Sequence, residues 1–237
     1  VRSKVYWIPH GLDKEWYEKS NTWLVSQNGN IDKQLIDIRN YKLMTGKKML
    51  LFWLWHSPNR KGWDEVVQVF RLLKLKRNDV FLVVKTTQYN KELDQLGGLD
   101  VFKITNWLND YNKMALYDLA DINLNFSRGG GFEINCLEAL GRGVPCISSD
   151  YGSWLDYEHP RFLIRRDRRV KPLPGNAYHV GYGYTVDVRD AVEKINDILD
   201  NLSEYKGIAN EHRQKLKEEY EWSVVGERII KMLEDKN

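Results

Sequence analysis

The sequence predicts an α/β fold: a doubly wound, Rossmann-like parallel sheet followed by helices at the C-terminal end. Short β-branched or apolar runs alternate with longer amphipathic stretches along the chain, which is the pattern of parallel strands joined by crossover helices. The composition, with 237 residues of which 42% are apolar and 29% charged, is that of a globular protein with a sizeable core. We expect one domain of ordinary size over residues 1–237.

Six short runs predict the strands, because each is apolar or β-branched and bounded by turn residues. They are residues 4–8, 49–55, 80–85, 101–104, 122–126 and 144–148. Four stretches between these runs have apolar residues at three- or four-residue spacing, which predicts helices. They are residues 63–75, 91–96, 111–119 and 133–140. Residues 13–46 give no clear pattern, and their structure is left open.

The amino-acid composition changes after Asp150. Proline and glycine are frequent between residues 160 and 183, which predicts a loop-rich stretch. Three helical patterns then close the sequence, at residues 189–202, 205–220 and 223–233.

Charge and cysteine content exclude several classes of protein. The formal net charge is +3, so no strong overall field favours a nucleic-acid partner. Two cysteines cannot build a disulfide framework or a four-cysteine zinc site, and we expect Cys136 and Cys146 to be buried, free thiols. No apolar run is long enough to span a membrane and no export signal is visible. These observations favour a cytoplasmic location.

The densest chemical signal is a glycine turn. An apolar run enters Gly129, Gly130 and Gly131, and a predicted helix follows. Backbone N–H groups at a helix start are unpaired, and together with the helix dipole they favour a phosphate. The alternative is a plain loop. Glu138 favours a binding site, because a carboxylate within an apolar helix needs a cation or a hydroxyl partner, such as a ribose diol.

A second cluster contains Arg60, Lys61 and Gly62, between a predicted strand and the next helix. In doubly wound sheets ligands bind outside the carboxyl ends of the strands. Arg60 and Lys61 could therefore converge with the glycine turn on one diphosphate. The alternative is a solvated basic loop.

These clusters, in this order, resemble the C-terminal domain of a family-4 retaining glycosyltransferase with the GT-B fold. The matching segments are Ile8-Pro9-His10-Gly11-Leu12-Asp13, Arg60-Lys61-Gly62, Ala120-Asp121-Ile122-Asn123-Leu124, Gly131-Phe132 with Leu137-Glu138-Ala139-Leu140 and Gly143-Val144-Pro145, Asp150-Tyr151-Gly152-Ser153, and Tyr220-Glu221-Trp222-Ser223. The resemblance covers nearly the whole chain. It implies a domain that binds a nucleoside-diphosphate sugar and supports retaining, hexosyltransferase-type transfer without a metal ion or a cofactor.

Carried over residue by residue, the resemblance implies the following roles. Lys61, with Arg60 beside it, holds the diphosphate, and Glu138 holds the ribose hydroxyls. The backbone of Gly130, Gly131 and Phe132 faces phosphate and sugar. Two further residues are donor-site candidates: Leu137, and His10, which ranks below Lys61 and Glu138.

The sequence departs from the family pattern at two places. The family has two glutamates separated by seven residues; Glu138 is the second, and Gly130 stands in the place of the first. Glu133 could compensate, which makes Glu133 and Lys61 the predicted catalytic residues, whereas the alternative for Glu133 is simple helix capping. Trp55 and His56 stand where the family has Gly-Arg, so one phosphate-binding cation is missing there.

In the family, the acceptor site lies in an N-terminal domain, and the segment that begins here at Ile8 opens the second half. We therefore expect an N-terminal domain, or a partner chain that supplies it, to be missing from this sequence. The alternative is a non-catalytic nucleotide-sugar-binding or assembly subunit. A weaker alternative is a flavodoxin-like signalling or binding module without nucleotide-sugar chemistry.

Two further groups have competing interpretations. A basic run could contact an acidic membrane surface or a phosphate-bearing acceptor, although a solvated loop is the commoner explanation. It consists of Arg161, Arg165, Arg166, Arg168, Arg169 and Lys171. Trp63, Trp107 and Trp154 are candidates for stacking on a base or a sugar.

Overall fold

The computed structural model describes residues 5–18, 23, 31–55, 57–87, 91–178 and 180–234. Its main sheet consists of β1 (Lys48–Leu54), β2 (Val80–Thr86), β3 (Val101–Ile104), β4 (Ile122–Asn125), β5 (Cys146–Ser149) and β6 (Leu163–Ile164). All neighbouring pairs in this six-stranded sheet are parallel, and the spatial order is β3-β2-β1-β4-β5-β6. The predicted doubly wound, Rossmann-like sheet is confirmed.

The order of the strands reverses between β1 and β4. In β1, Leu50 lies opposite Leu82 of β2 on one side and Ile122 of β4 on the other. From β1, the strands β2 and β3 extend the sheet in one direction. From β4, the strands β5 and β6 extend it in the other direction. The carboxyl ends of β1 and β4 therefore border the crevice in which such sheets bind ligands.

Helices alternate with the strands of the sheet and follow them along the chain. They are α1 (Lys14–Tyr17), α2 (Lys33–Thr45), α3 (Pro58–Lys61), α4 (Trp63–Lys76), α5 (Asp110–Leu119), α6 (Ile134–Gly141), α7 (Val188–Asp200), α8 (Leu202–Tyr220) and α9 (Trp222–Glu234). Short 3₁₀ segments are Lys91–Leu96, Ser153–Asp156 and Pro160–Phe162. A separate antiparallel hairpin consists of β7 (Arg166–Val170) and β8 (Gly183–Val186).

The burial of their side chains explains why the central strands could be predicted from the sequence. All seven residues of β2 are buried, as expected for a parallel strand that is covered on both faces. Helix α4 buries Val66, Phe70 and Leu73, which its 3.6-residue period places on one face. Each such side chain stabilises the fold by about 1.5–3 kcal/mol relative to exposure. This packed core supports the loops at the carboxyl edge of the sheet.

The structure corrects three details of the prediction. Residues 5–8, the described part of the first predicted strand, form no strand; Val5 is 94% and Trp7 56% exposed, so this run lacks the cover a strand needs. The predicted helix at 91–96 is a 3₁₀ segment. Within the stretch predicted as loop, β6 and the β7–β8 hairpin form. Just after the first predicted strand, Leu12 makes an isolated parallel bridge to Glu221.

Candidate functional site

A cavity of about 370 Å³ opens at the carboxyl edge of the sheet, at the crevice beside β1 and β4. Its wall includes the two predicted clusters: Arg60 and Lys61 from α3, and Gly130 and Gly131 from the turn after β4. The structure thus brings together residues that are about seventy positions apart in the sequence. Phe132, Glu133 and Glu138 also line this cavity.

Local backbone geometry positions the basic pair. Ser57 is the N-cap residue of α3, and its Oγ accepts a hydrogen bond from the Arg60 backbone N–H at 3.3 Å. The helix ends at Gly62, whose φ of 72° suits glycine, and a Cβ there would lie 2.2 Å from the Phe126 carbonyl oxygen. Gly62 therefore lets α3 lie directly against the end of β4. The Arg128 N–H donates to the Arg60 carbonyl at 2.8 Å and fixes this approach.

Glu133 faces the basic pair. Its Oε2 lies 2.5 Å from Lys61 Nζ and its Oε1 lies 3.4 Å from Arg60 Nη1. Ser127 Oγ donates to Oε1 at 2.7 Å. Glu133 occupies the N-cap position of α6, but its side chain caps no backbone N–H. The carboxylate is thus directed to the two cations rather than to the helix.

The space beside Gly130 is filled by this same carboxylate. A Cβ on Gly130 would lie 2.6 Å from Oε1 of Glu133. A larger residue at position 130 and the observed Glu133 side chain would therefore compete for one place. This geometry places the Glu133 carboxylate next to position 130, where the family that the sequence resembles has a glutamate.

Glu138 is a buried residue of the same cavity wall. The Tyr117 hydroxyl donates to its Oε2 at 2.9 Å, and Lys113 Nζ lies 3.5 Å from its Oε1. Burial raises the pKa of Glu138, while Lys113 and Tyr117 oppose this shift. These contacts hold a carboxylate at the cavity wall, where it can accept hydrogen bonds from a diol.

Among the charged side chains of the wall, the basic ones outnumber the acidic ones. Burial lowers the pKa of Lys61, while Glu133 opposes this shift. Burial, together with the charge of Lys113, also lowers the pKa of Lys85, whose Nζ donates to the Thr86 carbonyl at 2.7 Å. No described carboxylate forms an ion pair with Lys85. An anion in the cavity would meet cations that are already partly desolvated.

Tryptophans form another part of this wall. Lys85 Nζ lies 5.9 Å from the ring centroid of Trp53 and 5.8 Å from that of Trp55. Trp107 is 77% exposed at the mouth, so its ring face is open to a flat ligand. Of the other stacking candidates, Trp63 and Trp154 are buried in the core, and that prediction is wrong for both.

Two predicted donor residues lie elsewhere. Leu137 is fully buried in the core and does not line the cavity. His10 is exposed and its ring centroid lies 5.1 Å from that of Phe132, next to the cavity rather than in its wall. His56 falls outside the described residues.

Sequence reasoning missed Lys85 and Lys113. Lys85 is near the carboxyl end of β2, so the strand-end rule could have identified it. Lys113 projects from α5, and nothing in its local pattern signals the site. Its position beside Glu138 is a product of tertiary packing.

A second polar group lies away from the cavity. The Sγ atoms of Cys136 and Cys146 are 3.1 Å apart, and Cys136 Sγ lies 2.9 Å from Glu158 Oε2. Burial raises the pKa of Glu158 to about 8. Among the described residues these three could supply metal ligands, but none of them lines the cavity. Both cysteines are buried and free, as predicted.

The basic run lies on and around the β7 strand. Arg165 pairs with Asp187 and Asp190, and Arg166 with Asp150. These acidic partners offset part of the positive charge of the basic run. Contact of the basic run with a membrane surface stays a prediction. Within the described ranges, no helix combines the length and the apolar character needed to cross a membrane.

Comparison with known proteins identifies the family. The family described as "Glycosyl transferases group 1" matches residues 36–220. The chain belongs to this family. The matched region includes Arg60, Lys61, the glycine turn and Glu138, so the site built above lies inside the family domain.

Two viral proteins are similar in sequence. Uncharacterized protein 356 of Sulfolobus islandicus rod-shaped virus 1 is 30% identical over 207 residues, which are 86% of this chain and 57% of that protein. A protein of Sulfolobus islandicus filamentous virus (isolate Iceland/Hveragerdi), provisionally named glycosyltransferase 45, is 31% identical over 169 residues, 70% of this chain and 44% of that protein. The chain thus spans about half the length of these relatives.

Solved structures share the fold. The C-terminal domain of LpcC, a glycosyl transferase group 1 family protein from Francisella tularensis, has a TM-score of 0.58 at 16% identity, covering 87% of this chain and 96% of that domain. HepE of Anabaena, crystallised with UDP and glucose, has a TM-score of 0.69 at 14% identity, covering 96% of this chain and 56% of that protein. The fold is that of the C-terminal domain of GT-B glycosyltransferases.

Proposed function

We propose that residues 1–237 form the donor-binding domain of a retaining, hexosyltransferase-type glycosyltransferase, which binds a nucleoside-diphosphate sugar without a metal ion. The observation that carries this proposal is the contact between two clusters: the basic pair Arg60 and Lys61 lies beside the glycine turn, in one cavity. Basic side chains and a glycine turn at a helix start are the groups that bind a diphosphate.

The charge of the cavity supports the same ligand. Among the described residues, four basic side chains and two carboxylates line it. The basic residues are Arg60, Lys61, Lys85 and Lys113, and the acids are Glu133 and Glu138. A diphosphate supplies the negative charge that this wall lacks. These cations would also stabilise the charge that develops on a departing nucleoside diphosphate, which is the main electrostatic task in such a transfer.

The remaining walls suit the nucleoside. Glu138 is buried with acceptor capacity directed at the cavity, which fits the two hydroxyls of a ribose. The open ring of Trp107 and the neighbouring Trp55 offer stacking faces to a base. HepE was crystallised with UDP and glucose, and UDP is therefore the first nucleotide to test.

A second function is favoured by one observation. Gly130 stands where the family has its first glutamate, and the replacing carboxylate of Glu133 is engaged with Lys61 and Arg60. A chain without that acid could bind the donor and not transfer it. The second candidate is therefore a non-catalytic nucleotide-sugar-binding or assembly subunit, and either function would involve an acceptor domain or a partner chain.

Calorimetric titration tests the proposal. We expect one of UDP, GDP and ADP, or its sugar conjugate, to bind in the presence of EDTA, because the cavity supplies its own cations. Lys61→Ala and Glu138→Gln should each weaken binding at least tenfold, equivalent to about 1.4 kcal/mol. Lys76→Ala, an exposed lysine on the last turn of α4, is the matched control.

The outcomes separate the candidates. Parental affinity in both site variants would contradict the site, and no binding of any nucleotide would contradict nucleotide-sugar binding altogether. Sugar transfer by this chain joined to an acceptor domain would exclude the non-catalytic alternative.

A further inference from the structure

Lys85 differs from the other cations of the cavity. Arg60, Lys61 and Lys113 each pair with a carboxylate of the cavity wall. Lys85 is only 2% exposed and, in the part of the chain that the structure describes, pairs with no carboxylate. A buried charge without a counter-charge costs free energy. The end of β2 therefore holds a cation that its described surroundings leave uncompensated.

Unused hydrogen-bond donors accompany this charge. The Lys85 ammonium has three N–H groups, and one of them donates to the Thr86 carbonyl at 2.7 Å. Within the described ranges, no further acceptor takes the other two. Trp53, another residue of the cavity wall, has a buried indole N–H that also meets no acceptor in those ranges. Buried donors are normally hydrogen-bonded, so we expect the ligand to bring acceptor atoms to this part of the wall.

Lys85 lies among the aromatic rings of the cavity. Its Nζ is 5.9 Å from the ring centroid of Trp53 and 5.8 Å from that of Trp55. Trp107 meets Trp55 edge-on, with their ring centroids 6.5 Å apart. Such flat rings suit a nucleobase, which offers a face for stacking and an edge for hydrogen bonds. Lys85 is therefore in a position to meet the edge of a base.

The order of groups along the sheet leads to the same position. The basic pair and the glycine turn follow β1 and β4, whereas Lys85 is near the carboxyl end of β2, on the other side of β1. Lys113 lies between: its Nζ is 3.5 Å from Glu138 Oε1, and its charge adds to burial in lowering the pKa of Lys85. With the diphosphate at the basic pair and the ribose at Glu138, the base extends to Lys85.

Nucleobases differ in what they present to a donor. Uracil and guanine carry a ring carbonyl oxygen at the position where cytosine and adenine carry an amino group. The lysine ammonium has donors and no acceptor. It binds the carbonyl oxygen, whereas an amino group would meet it donor to donor and leave its N–H groups unpaired.

We propose that Lys85 selects the base of the donor nucleotide, donating to the ring carbonyl of uracil or guanine and rejecting the amino group of cytosine or adenine. This inference rests on the proposed function of the cavity and names the class of its nucleotide. The shared chemistry is the ring carbonyl, and the experiment distinguishes the pyrimidine from the purine.

Calorimetric titration with two pairs of nucleotides tests this inference. UDP and CDP form the pyrimidine pair; inosine diphosphate, which has the guanine carbonyl without the 2-amino group, and ADP form the purine pair. Within each pair, a carbonyl is exchanged for an amino group at one position of the base. We expect at least one carbonyl nucleotide to bind at least tenfold more tightly than its amino partner, equivalent to about 1.4 kcal/mol.

Lys85→Met keeps the length of the side chain and removes its charge and its donors. In this variant the preference should fall below about threefold, because the carbonyl nucleotide loses its hydrogen bond. Lys61→Ala, at the diphosphate, should instead weaken all of these nucleotides alike and leave the preference unchanged. Lys76→Met is the matched control, since Lys76 is exposed at the last turn of α4.

The outcomes separate the inference from the proposed function. Equal binding within both pairs, or tighter binding of the amino nucleotides, would overturn the inference and leave nucleotide binding intact. A preference that persists in Lys85→Met, or a uniform loss for all nucleotides in that variant, would also overturn it. Failure of the parent to bind any of the nucleotides would reject the proposed function itself. The comparison in the parent needs no variant, and thermal unfolding checks that Lys85→Met is folded.

Discussion

A single carboxylate pairs with both cations of the proposed phosphate site. Glu133 pairs with Lys61 at 2.5 Å and with Arg60 at 3.4 Å. Both cations would also be needed by a diphosphate, and like charges in a desolvated site repel strongly. Glu133 must therefore give up these contacts, or share them, when a donor binds. If the proposed function is correct, the residue proposed to compensate for Gly130 is at the same time a competitor of the ligand.

Replacing Glu133 by glutamine should strengthen the binding of free UDP. The amide keeps the shape and the Ser127 hydrogen bond but removes the competing negative charge, so we expect three- to tenfold tighter binding, about 0.7–1.4 kcal/mol. Sugar transfer should fall in the same variant, because the proposed catalytic carboxylate is lost. Calorimetry with UDP measures the first effect. Glu193→Gln, an exposed site on α7, is the control, and weaker UDP binding by Glu133→Gln would show that Glu133 assists rather than competes.

Among the helices and strands, the sequence predicted those whose side chains are largely buried. The strand predicted at 80–85 is Val80–Thr86, and the helix predicted at 63–75 is Trp63–Lys76, because both carry continuous or periodic apolar residues. The β7 strand escaped prediction because its first four residues, Arg166 to Arg169, are polar and exposed and show no alternation. Gly183 of β8 pairs with Val170 and also lies against Arg128, a tertiary contact that no local pattern reveals.

The site divides in the same way. Arg60, Lys61 and the glycine turn were predictable, because each follows a strand of a doubly wound sheet and such positions share one edge. Glu138 was predictable as a carboxylate within an apolar helix. Contacts across the edge were not predictable. The direction of the Glu133 side chain is set by tertiary approach, with Lys61 and Ser127 drawing it away from the helix start.

Gly183→Ala tests the attachment of the hairpin to the glycine turn. An added Cβ would lie 1.3 Å from the Arg128 carbonyl oxygen, so the hairpin or the turn must move. We expect the free energy of unfolding to fall by about 1–3 kcal/mol, the range for substitutions that force backbone to shift, and UDP binding to weaken. Urea denaturation measures the first effect. Gly207→Ala, in α8 with no atom near the added Cβ, should match the parent or exceed it slightly.

At the scale of the whole molecule, contacts join parts that are distant in the sequence. The Leu12 N–H donates to the Tyr220 carbonyl at 2.8 Å, and the Trp222 N–H donates to the Leu12 carbonyl at 3.0 Å. Asp121, at the start of β4, accepts from Lys42 of α2 at 2.6 Å and from Lys206 of α8 at 2.7 Å. Early and late segments are thereby tied to the middle of the sheet, which favours unfolding as one cooperative unit.

Asp121→Asn should weaken the entire fold. The Asp121 carboxylate also accepts from the Met49 N–H at 2.8 Å, so the substitution leaves two lysines without their shared partner. We expect the free energy of unfolding at neutral pH to fall by about 2–4 kcal/mol, somewhat below the range for breaking a fully buried pair because both lysines reach the surface. Urea denaturation followed by tryptophan fluorescence and by circular dichroism should give coincident, shifted transitions.

The pH dependence of that effect identifies its cause. Burial raises the pKa of Asp121, yet Lys42 and Lys206 outweigh burial and hold it below its usual value of 3.8. A carboxyl group with a lowered pKa in the folded state contributes stability that is present above 3.8 and lost as the pH falls through the folded pKa. The difference between parent and Asp121→Asn should therefore be full at neutral pH and shrink in acid. A difference that stays constant from about pH 7 to about pH 2 would instead attribute the effect to packing, and Asp37→Asn, an exposed site on α2, should show no difference at either pH.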